Sequence, residues 1–273
     1  MKKVIILIGA LVWAACSATL VRATFGPEIL SARQEAAASA EEAKPKFGTG
    51  AVPIQQARDY LRRHEAPDFW ALMPYYVPQT TGASCSAASV TMLVNALRGV
   101  PSLAKDALVT EASLLETVGA GEWIQSTAVD GEGVSFAEFE TYLRQSLKAY
   151  GLGDAEVEVF RPEAATPAAL ARLREMLSEN EKSADDFVLA VYNQGVVTGD
   201  ADVGHISPIG AYDGETGRAL ILDVDRKWYV PYWVGAEKLL ESVVYSSAED
   251  PERGGLIRVK LQKDGDLASV QPR

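Results

Sequence analysis

The spacing of apolar residues changes along this chain, and that change constrains its fold more than any other feature. Up to residue 177, apolar side chains recur at helical steps, which predicts helices over 53–63, 68–72, 85–97, 135–149 and 166–177. From residue 187 onward the apolar runs are short and separated by turn residues, which predicts strands over 187–192, 205–212, 219–224 and 256–261. Helices followed by strands predict an α+β fold in which an N-terminal helical part packs on a C-terminal antiparallel sheet.

The first 23 residues have the pattern of a targeting segment. Two lysines precede an uncharged apolar run over 4–21, and Ala23 closes a small-residue motif that suits a signal peptidase. We therefore expect a signal peptide over residues 1–23 and a protein exported to the bacterial periplasm or cell envelope. Two alternatives stay open: the run is retained as an N-terminal membrane anchor, or Cys16 carries a lipid.

Composition divides the rest of the chain. Residues 24–47 are rich in Ala and Glu and have no large apolar face, which indicates a linker. A single globular domain is expected over 48–265, followed by a short tail over 266–273. The formal net charge of −11 repels phosphate backbones, so nucleic acid is not expected as a partner. The sequence leaves open whether the domain forms a homodimer.

Cysteine usage singles out Cys85. The chain has two cysteines, and Cys16 lies in the predicted targeting segment, so cleavage leaves Cys85 without an intramolecular disulfide partner. An unpaired thiol of this kind is either a small buried side chain or a reactive group. Cys85 begins the predicted helix 85–97, and the amide groups and dipole of a helix N-terminus favour a thiolate, which is the nucleophilic form.

Two further residues are candidate partners of this thiol. Gln79 lies in the loop that leads into the helix, six residues before Cys85, where its side-chain amide and the Cys85 N–H can bind an oxyanion together. His205 opens the predicted strand 205–212 and is one of two histidines. Considered alone, His205 is as well explained by a structural role at a strand start as by a role as a general base.

Asp223 is a reason to interpret His205 as a general base and not as a structural residue. Residues 213–217 are typical of a hairpin turn, and this turn brings His205 and Asp223 nearly opposite each other. A carboxylate in the apolar run 219–224 needs a partner, and an imidazole N–H would also hold the tautomer that takes the thiol proton. Asp225 is a rival on the same face that lies less deep in the run. The order Gln, Cys, His, Asp is similar to that of papain-like enzymes and predicts a cysteine-dependent acyltransferase or hydrolase.

Several segments resemble the phytochelatin synthase family. The resemblance lies in the cysteine, histidine and aspartate segments and in the aromatic stretch that follows, at 79–89, 92–97, 204–212, 219–224 and 228–234. It extends from about Pro53 to Val259. It implies a papain-like fold with the nucleophile, the base, its orienting group and the oxyanion donor at Cys85, His205, Asp223 and Gln79.

The resemblance also implies a reaction. In this family the cysteine attacks the peptide bond before the terminal glycine of glutathione, glycine leaves, and a γ-glutamylcysteinyl thioester remains on the enzyme. Water then yields γ-glutamylcysteine, or a second glutathione yields a phytochelatin. Gly204 and Arg253 resemble family residues that contact the substrate, and an arginine binds a carboxylate with two parallel hydrogen bonds. Without the family, Arg253 is a surface residue of a turn.

Two departures from the family pattern affect these expectations. Ser84 and Ser86 stand where the family usually carries Tyr and Gly, so the alternative function is a papain-like peptidase or amidase for another envelope peptide. The cysteine-rich C-terminal region of the plant enzymes is absent, which implies that hydrolysis is favoured over phytochelatin synthesis. No cofactor and no dedicated metal site are expected. Cadmium or zinc would enter only as a metal–glutathione substrate complex, in metal detoxification.

Overall fold

The computed structural model describes residues 46–48, 50–200, 202–248 and 251–262. The predicted targeting segment, nearly all of the predicted linker and the predicted tail lie outside these residues. Within the described part of the chain, no helix is both long and apolar enough to cross a membrane.

Helices occupy most of the first half of the described chain. They are α1 (Asp59–Arg63), α2 (Pro67–Leu72), α3 (Cys85–Arg98), α4 (Glu111–Val118), α5 (Gly121–Ser126) and α6 (Phe136–Ala149), with a 3-10 turn at Met73–Tyr75. Later helices alternate with strands: α7 (Pro167–Asn180), α8 (Gln194–Thr198) and α9 (Ala236–Val244). Thr110 before α4 and Ser135 before α6 each form a capping box. The starts of these two helices are therefore specified by local sequence.

The strands form an antiparallel sheet. They are β1 (Ala51–Pro53), β2 (Glu156–Phe160), β3 (Asp186–Asn193), β4 (Gly204–Asp213), β5 (Arg218–Ile221), β6 (Tyr232–Gly235) and β7 (Gly255–Lys260). Their order in space is β1-β6-β5-β4-β3-β7-β2, and the pairings between the described strands are antiparallel. The predicted α+β class is confirmed.

Helices pack on both faces of the sheet. Leu189 and Ile206 belong to a core that includes α3 and α6, whereas Val188 and Ile209 belong to a core that includes α7 and α9. Successive residues of a strand point to opposite faces, so β3 and β4 are buried over nearly their whole length because both of their faces are covered.

The predicted helix over 53–63 is wrong in its first half. Pro53 is the last residue of β1 and lies opposite Tyr232 of β6, and the helix begins only at Asp59. Apolar residues at helical steps also fit a short edge strand followed by a turn. Pairing with β6, which comes from much later in the chain, decides between the two.

The predicted strand over 219–224 is too long. β5 ends at Ile221, after its pairing with β4 has shifted register around Gly210. Such a bulge bends the chain and redirects the side chains that follow. Leu222 adds one more backbone hydrogen bond to β4, and Asp223 lies beyond the strand.

Candidate active site

Cys85 is held at the start of a buried helix. It is the first residue of α3, a free thiol that is 9% exposed. One turn further along, the Ser89 hydroxyl donates to the carbonyl of Ile206 at 2.9 Å. This hydrogen bond fixes the first turn of α3 against the first residues of β4, so the thiol lies beside His205.

The His205 imidazole lies between the thiol and a carboxylate. Its Nε2 is 2.9 Å from Oδ1 of Asp223, and both side chains are buried. The same oxygen accepts the N–H of Asp225 at 2.9 Å. Since Nε2 is engaged by Asp223, Nδ1 is the ring nitrogen left to interact with the Cys85 side chain. This orientation allows the imidazole to exchange a proton with the thiol.

The opposite charges of His205 and Asp223 keep both side chains ionised. Burial by itself lowers the pKa of His205, but the charge and hydrogen bond of Asp223, together with Cys85, outweigh it and raise that pKa to about 10. Burial would raise the pKa of Asp223, whereas the charge of His205 and the hydrogen bonds to the carboxylate hold it below its ordinary value. Imidazolium is therefore the form that lies beside the thiol at neutral pH.

The second oxygen of Asp223 is surrounded by side-chain donors. Its Oδ2 accepts from Gln194 Nε2 and from the Tyr232 hydroxyl, both at 2.9 Å, and the Tyr192 hydroxyl lies 3.3 Å away. The two tyrosine oxygens are 2.8 Å apart. Each hydroxyl has one proton, so these distances favour donation from Tyr192 to Tyr232 and from Tyr232 to Asp223. A fully buried carboxylate requires such donors to stay charged.

These three residues are absent from the site predicted from the sequence. Gln194 directly follows the apolar strand β3, and a polar residue at the end of a buried strand was the available signal. Tyr192 and Tyr232 have no such signal, because a buried aromatic residue in a strand is usually core. Only the packing of α8, β3 and β6 around Asp223 reveals their hydroxyl groups as donors.

A cavity of about 570 Å³ opens beside the thiol and the imidazole. Its lining includes the predicted site residues Gln79, Cys85, Gly204, His205 and Arg253, which come from three distant parts of the sequence. The remaining predicted residue, Asp223, is bonded to the far side of the imidazole. The structure thus brings all of the predicted site residues to one place.

The loop before α3 positions Gln79 at the cavity. The Gln79 N–H donates to the carbonyl of Val224 at 2.8 Å, which joins this loop to the residue that follows Asp223. The side-chain amide donates to the Gly82 carbonyl at 3.4 Å. Its Oε1 is buried without a partner among the described residues. The amide nitrogen is thus held by one long hydrogen bond that a stronger acceptor can replace.

Arg253 lines the same cavity and lies just before β7. Its Nη1 donates to the carbonyl of Glu163 at 2.9 Å. The next residue, Gly254, lies so close to β3 that an added Cβ would be 1.9 Å from the Val191 carbonyl oxygen. Because only glycine fits there, the backbone that carries Arg253 lies directly against the sheet.

Comparisons with known proteins identify the family. A sequence profile described as "Phytochelatin synthase" matches residues 54–254. The chain is 26% identical over 208 residues to glutathione gamma-glutamylcysteinyltransferase 1 of Arabidopsis thaliana, an alignment that covers 73% of this chain and 38% of that relative. It is 28% identical over 185 residues to glutathione gamma-glutamylcysteinyltransferase 2 of the same plant, which covers 67% of this chain and 37% of the relative.

A third relative has the same relation to the chain. Glutathione gamma-glutamylcysteinyltransferase 3 of Lotus japonicus is 26% identical over 205 residues, covering 71% of this chain and 38% of the relative. The chain therefore spans well under half the length of these plant proteins. The family profile nevertheless matches most of the chain, as the resemblance in the sequence predicted. The chain belongs to the phytochelatin synthase family.

Proposed function

We propose that this protein is a glutathione γ-glutamylcysteinyltransferase that acts mainly as a hydrolase and releases glycine from glutathione. The observation that carries the proposal is the arrangement of Cys85, His205 and Asp223 beside one cavity. The names of the relatives support this choice of substrate. No resident cofactor is part of the proposal, and a metal ion would enter only bound to glutathione.

The first step is acylation of the thiol. The Cys85 thiolate attacks the carbonyl carbon of the cysteinyl residue of glutathione, and the oxyanion is stabilised by the Cys85 N–H and the Gln79 amide. The carbon–nitrogen bond to glycine then breaks as His205 gives its Nδ1 proton to the leaving amine. Glycine departs, and a γ-glutamylcysteinyl thioester remains on Cys85.

The second step removes the acyl group. His205, now neutral, takes a proton from water while the water oxygen attacks the thioester, and γ-glutamylcysteine leaves as the thiolate reforms. The α-amine of a second glutathione is the alternative acceptor and gives a phytochelatin. We propose that hydrolysis predominates, that Gly204 and Arg253 contact the γ-glutamyl group, and that the reaction takes place in the periplasm or cell envelope.

The test is glycine release by the purified protein. Wild type is expected to release one glycine for each γ-glutamylcysteine formed from glutathione, and Cys85→Ser is expected to lose at least about 10³-fold in rate because the hydroxyl is a far weaker nucleophile. Mass spectrometry of a quenched reaction should find the acyl group on Cys85. Cys16→Ser is the matched control and should retain full activity.

One observation favours a second candidate, a peptidase or amidase for another envelope peptide. Carboxylates predominate among the described residues that line the cavity: Glu132, Glu138, Asp202, Asp225 and Glu252, against Arg253 and His205. Glutathione itself carries two carboxylates, which such a lining repels. Turnover of neutral or basic peptides with no release of glycine from glutathione would replace the first candidate with this one.

A further inference from the structure

The loop that precedes Cys85 is closed by a hydroxyl group. The Ser84 oxygen accepts the backbone N–H groups of Thr80 and Thr81, each at 3.0 Å, and Ser84 is 1% exposed. These bonds fix the backbone between Gln79 and Cys85. An oxygen that accepts two N–H groups still has its own proton to donate.

The Thr80 hydroxyl donates its proton to Glu111, the first residue of α4, whereas the Ser84 hydroxyl lies 3.5 Å from the carbonyl of Thr81. The Glu111 side chain is buried, with the residue 6% exposed, and its Oε2 accepts from the Thr80 hydroxyl at 2.9 Å. The Ser84 hydroxyl also favours the charged form of this carboxylate and so lowers its pKa. Oε1 is buried and has no partner among the described residues.

Burying the Glu111 carboxylate is energetically unfavourable, so its position suggests a role other than packing. Burial raises the pKa of Glu111, and the hydroxyl groups of Thr80 and Ser84 act against that rise. A carboxylate that is buried with so few donors is unfavourable compared with an apolar residue of similar size. The contacts of Glu111 hold the loop that precedes Cys85, and Gln79 and Gly82 of this loop line the cavity.

We propose that Glu111 is a positioning residue for acyl transfer. Through the hydroxyl groups of Thr80 and Ser84 it holds the loop that places the Gln79 amide at the oxyanion, an inference that rests on the proposed role of Cys85 as nucleophile. Donors stabilise an oxyanion effectively only when they are fixed before the reaction. Alkylation of a thiolate forms no oxyanion. Glu111 should therefore affect acylation of Cys85 and leave its alkylation unchanged.

The chain offers well-matched variants. Glu111→Gln keeps the shape of the side chain but replaces one acceptor oxygen by an NH₂ group, and Thr80→Val removes one donor without changing the carboxylate. Gln79→Ala removes the proposed oxyanion donor itself. Glu116→Gln is the control, because Glu116 is exposed on the same helix, α4.

Two reactions distinguish an effect on oxyanion stabilisation from an effect on the nucleophilicity of Cys85. In the first, p-nitrophenyl acetate transfers its acetyl group to the Cys85 thiolate, and the burst of p-nitrophenolate reports the acylation rate. In the second, iodoacetamide alkylates the same thiolate and releases iodide. Both are measured for wild type, the single variants and the double variant Gln79→Ala/Glu111→Gln, with circular dichroism as the check of folding. Glycine release from glutathione is measured in parallel.

We expect Glu111→Gln and Thr80→Val to slow acylation about tenfold or more, while alkylation stays within about twofold of wild type. The double variant should be no slower than about the slower of its two single variants, because both changes act on one interaction. Glu116→Gln should behave as wild type. If Glu111→Gln does not fold, Thr80→Val provides the same comparison.

Three results would overturn the proposal: wild-type acylation in the Glu111 and Thr80 variants or in Gln79→Ala, equal losses in acylation and alkylation, or losses that multiply in the double variant. A wild-type protein that is acylated by the ester but releases no glycine from glutathione has another substrate. The role of Glu111 is then still decided by the ester and alkylation rates.

Discussion

At the scale of single residues, the orientation of the proposed base, His205, depends on the groups that surround the carboxylate of Asp223. Asp223 accepts His205 on one oxygen and a set of buried side chains on the other. The choice of the histidine nitrogen that faces Cys85 follows from this arrangement, because Nε2 is already engaged. His205 and Asp223 were recognisable in the sequence as polar residues in apolar runs, whereas Gln194 and Tyr232 were not assigned to the site.

Tyr232→Phe should lower the rate of glycine release about tenfold without unfolding the protein. The change removes a hydrogen bond to a charged, buried acceptor, which is worth about 1.5–3 kcal/mol, so Asp223 holds His205 less firmly. Tyr229→Phe is the matched control, because the Tyr229 hydroxyl bonds to Asp200 and not to Asp223. Equal effects of the two substitutions would show that Tyr232 acts only as core.

At the scale of elements, prediction was accurate where local sequence decides and poor where distant pairing decides. The helix at Cys85 begins as predicted and ends at Arg98, before Gly99, whose φ of +69° suits glycine. The helices α4, α5, α8 and α9, the strand β2 and the short strands β1 and β6 were not predicted. A strand of three or four residues contains too few side chains to show a period, so its pairing partner determines it.

Asp68 joins two elements that are far apart in sequence. It is fully buried in α2, and its Oδ2 accepts a hydrogen bond from the side-chain amide of Asn180 at the end of α7. The other oxygens of both side chains are buried and have no partner among the described residues. Burial, and then the charges of Glu181 and Asp186, raise the pKa of Asp68 to about 10. Asp68 is therefore protonated in the folded protein at neutral pH.

Asp68→Asn should become progressively more stable than wild type as pH rises from 5 to 9. The folded protein keeps the Asp68 proton while the unfolded chain loses it near pH 4, so the contribution of Asp68 to stability is complete below that pH and declines toward pH 10. The slope is at most about 1.4 kcal/mol per pH unit. Urea unfolding of both proteins at several pH values measures it. A difference that does not change with pH would rule out this protonation.

At the scale of the whole molecule, the start of the described chain packs near the active site. Phe47 makes edge-on contacts with Tyr229 and Tyr232, with ring centroids 5.8 Å and 5.5 Å away. The Gly48 N–H donates to the carbonyl of Thr198 at 2.5 Å. Because Tyr232 also donates to Asp223, Phe47, the last residue of the predicted linker, indirectly supports the proposed pair of His205 and Asp223.

Phe47→Ala should reduce the free energy of unfolding by about 2 kcal/mol, since Phe47 is half-buried and a fully buried phenylalanine costs more. The activity should fall in the same direction as in Tyr232→Phe, because the Tyr232 ring loses its neighbour. Thermal unfolding and glycine release measure the two effects. Trp228→Ala is the control, as Trp228 is 57% exposed. An unchanged stability would mean that the Phe47 ring contributes nothing to the domain.

The sequence by itself determined the fold class, the family and the residues proposed to react. These depend on apolar periods and on motifs that are continuous in the chain, such as 79–89 and 204–212. Only the tertiary structure decided how the site is supported: Glu111 beneath the loop, and Gln194, Tyr192 and Tyr232 around Asp223. The physical reason is that the role of a buried polar group can be identified only once its hydrogen-bond partner is known. Here each partner comes from another element, so no local pattern records the pair.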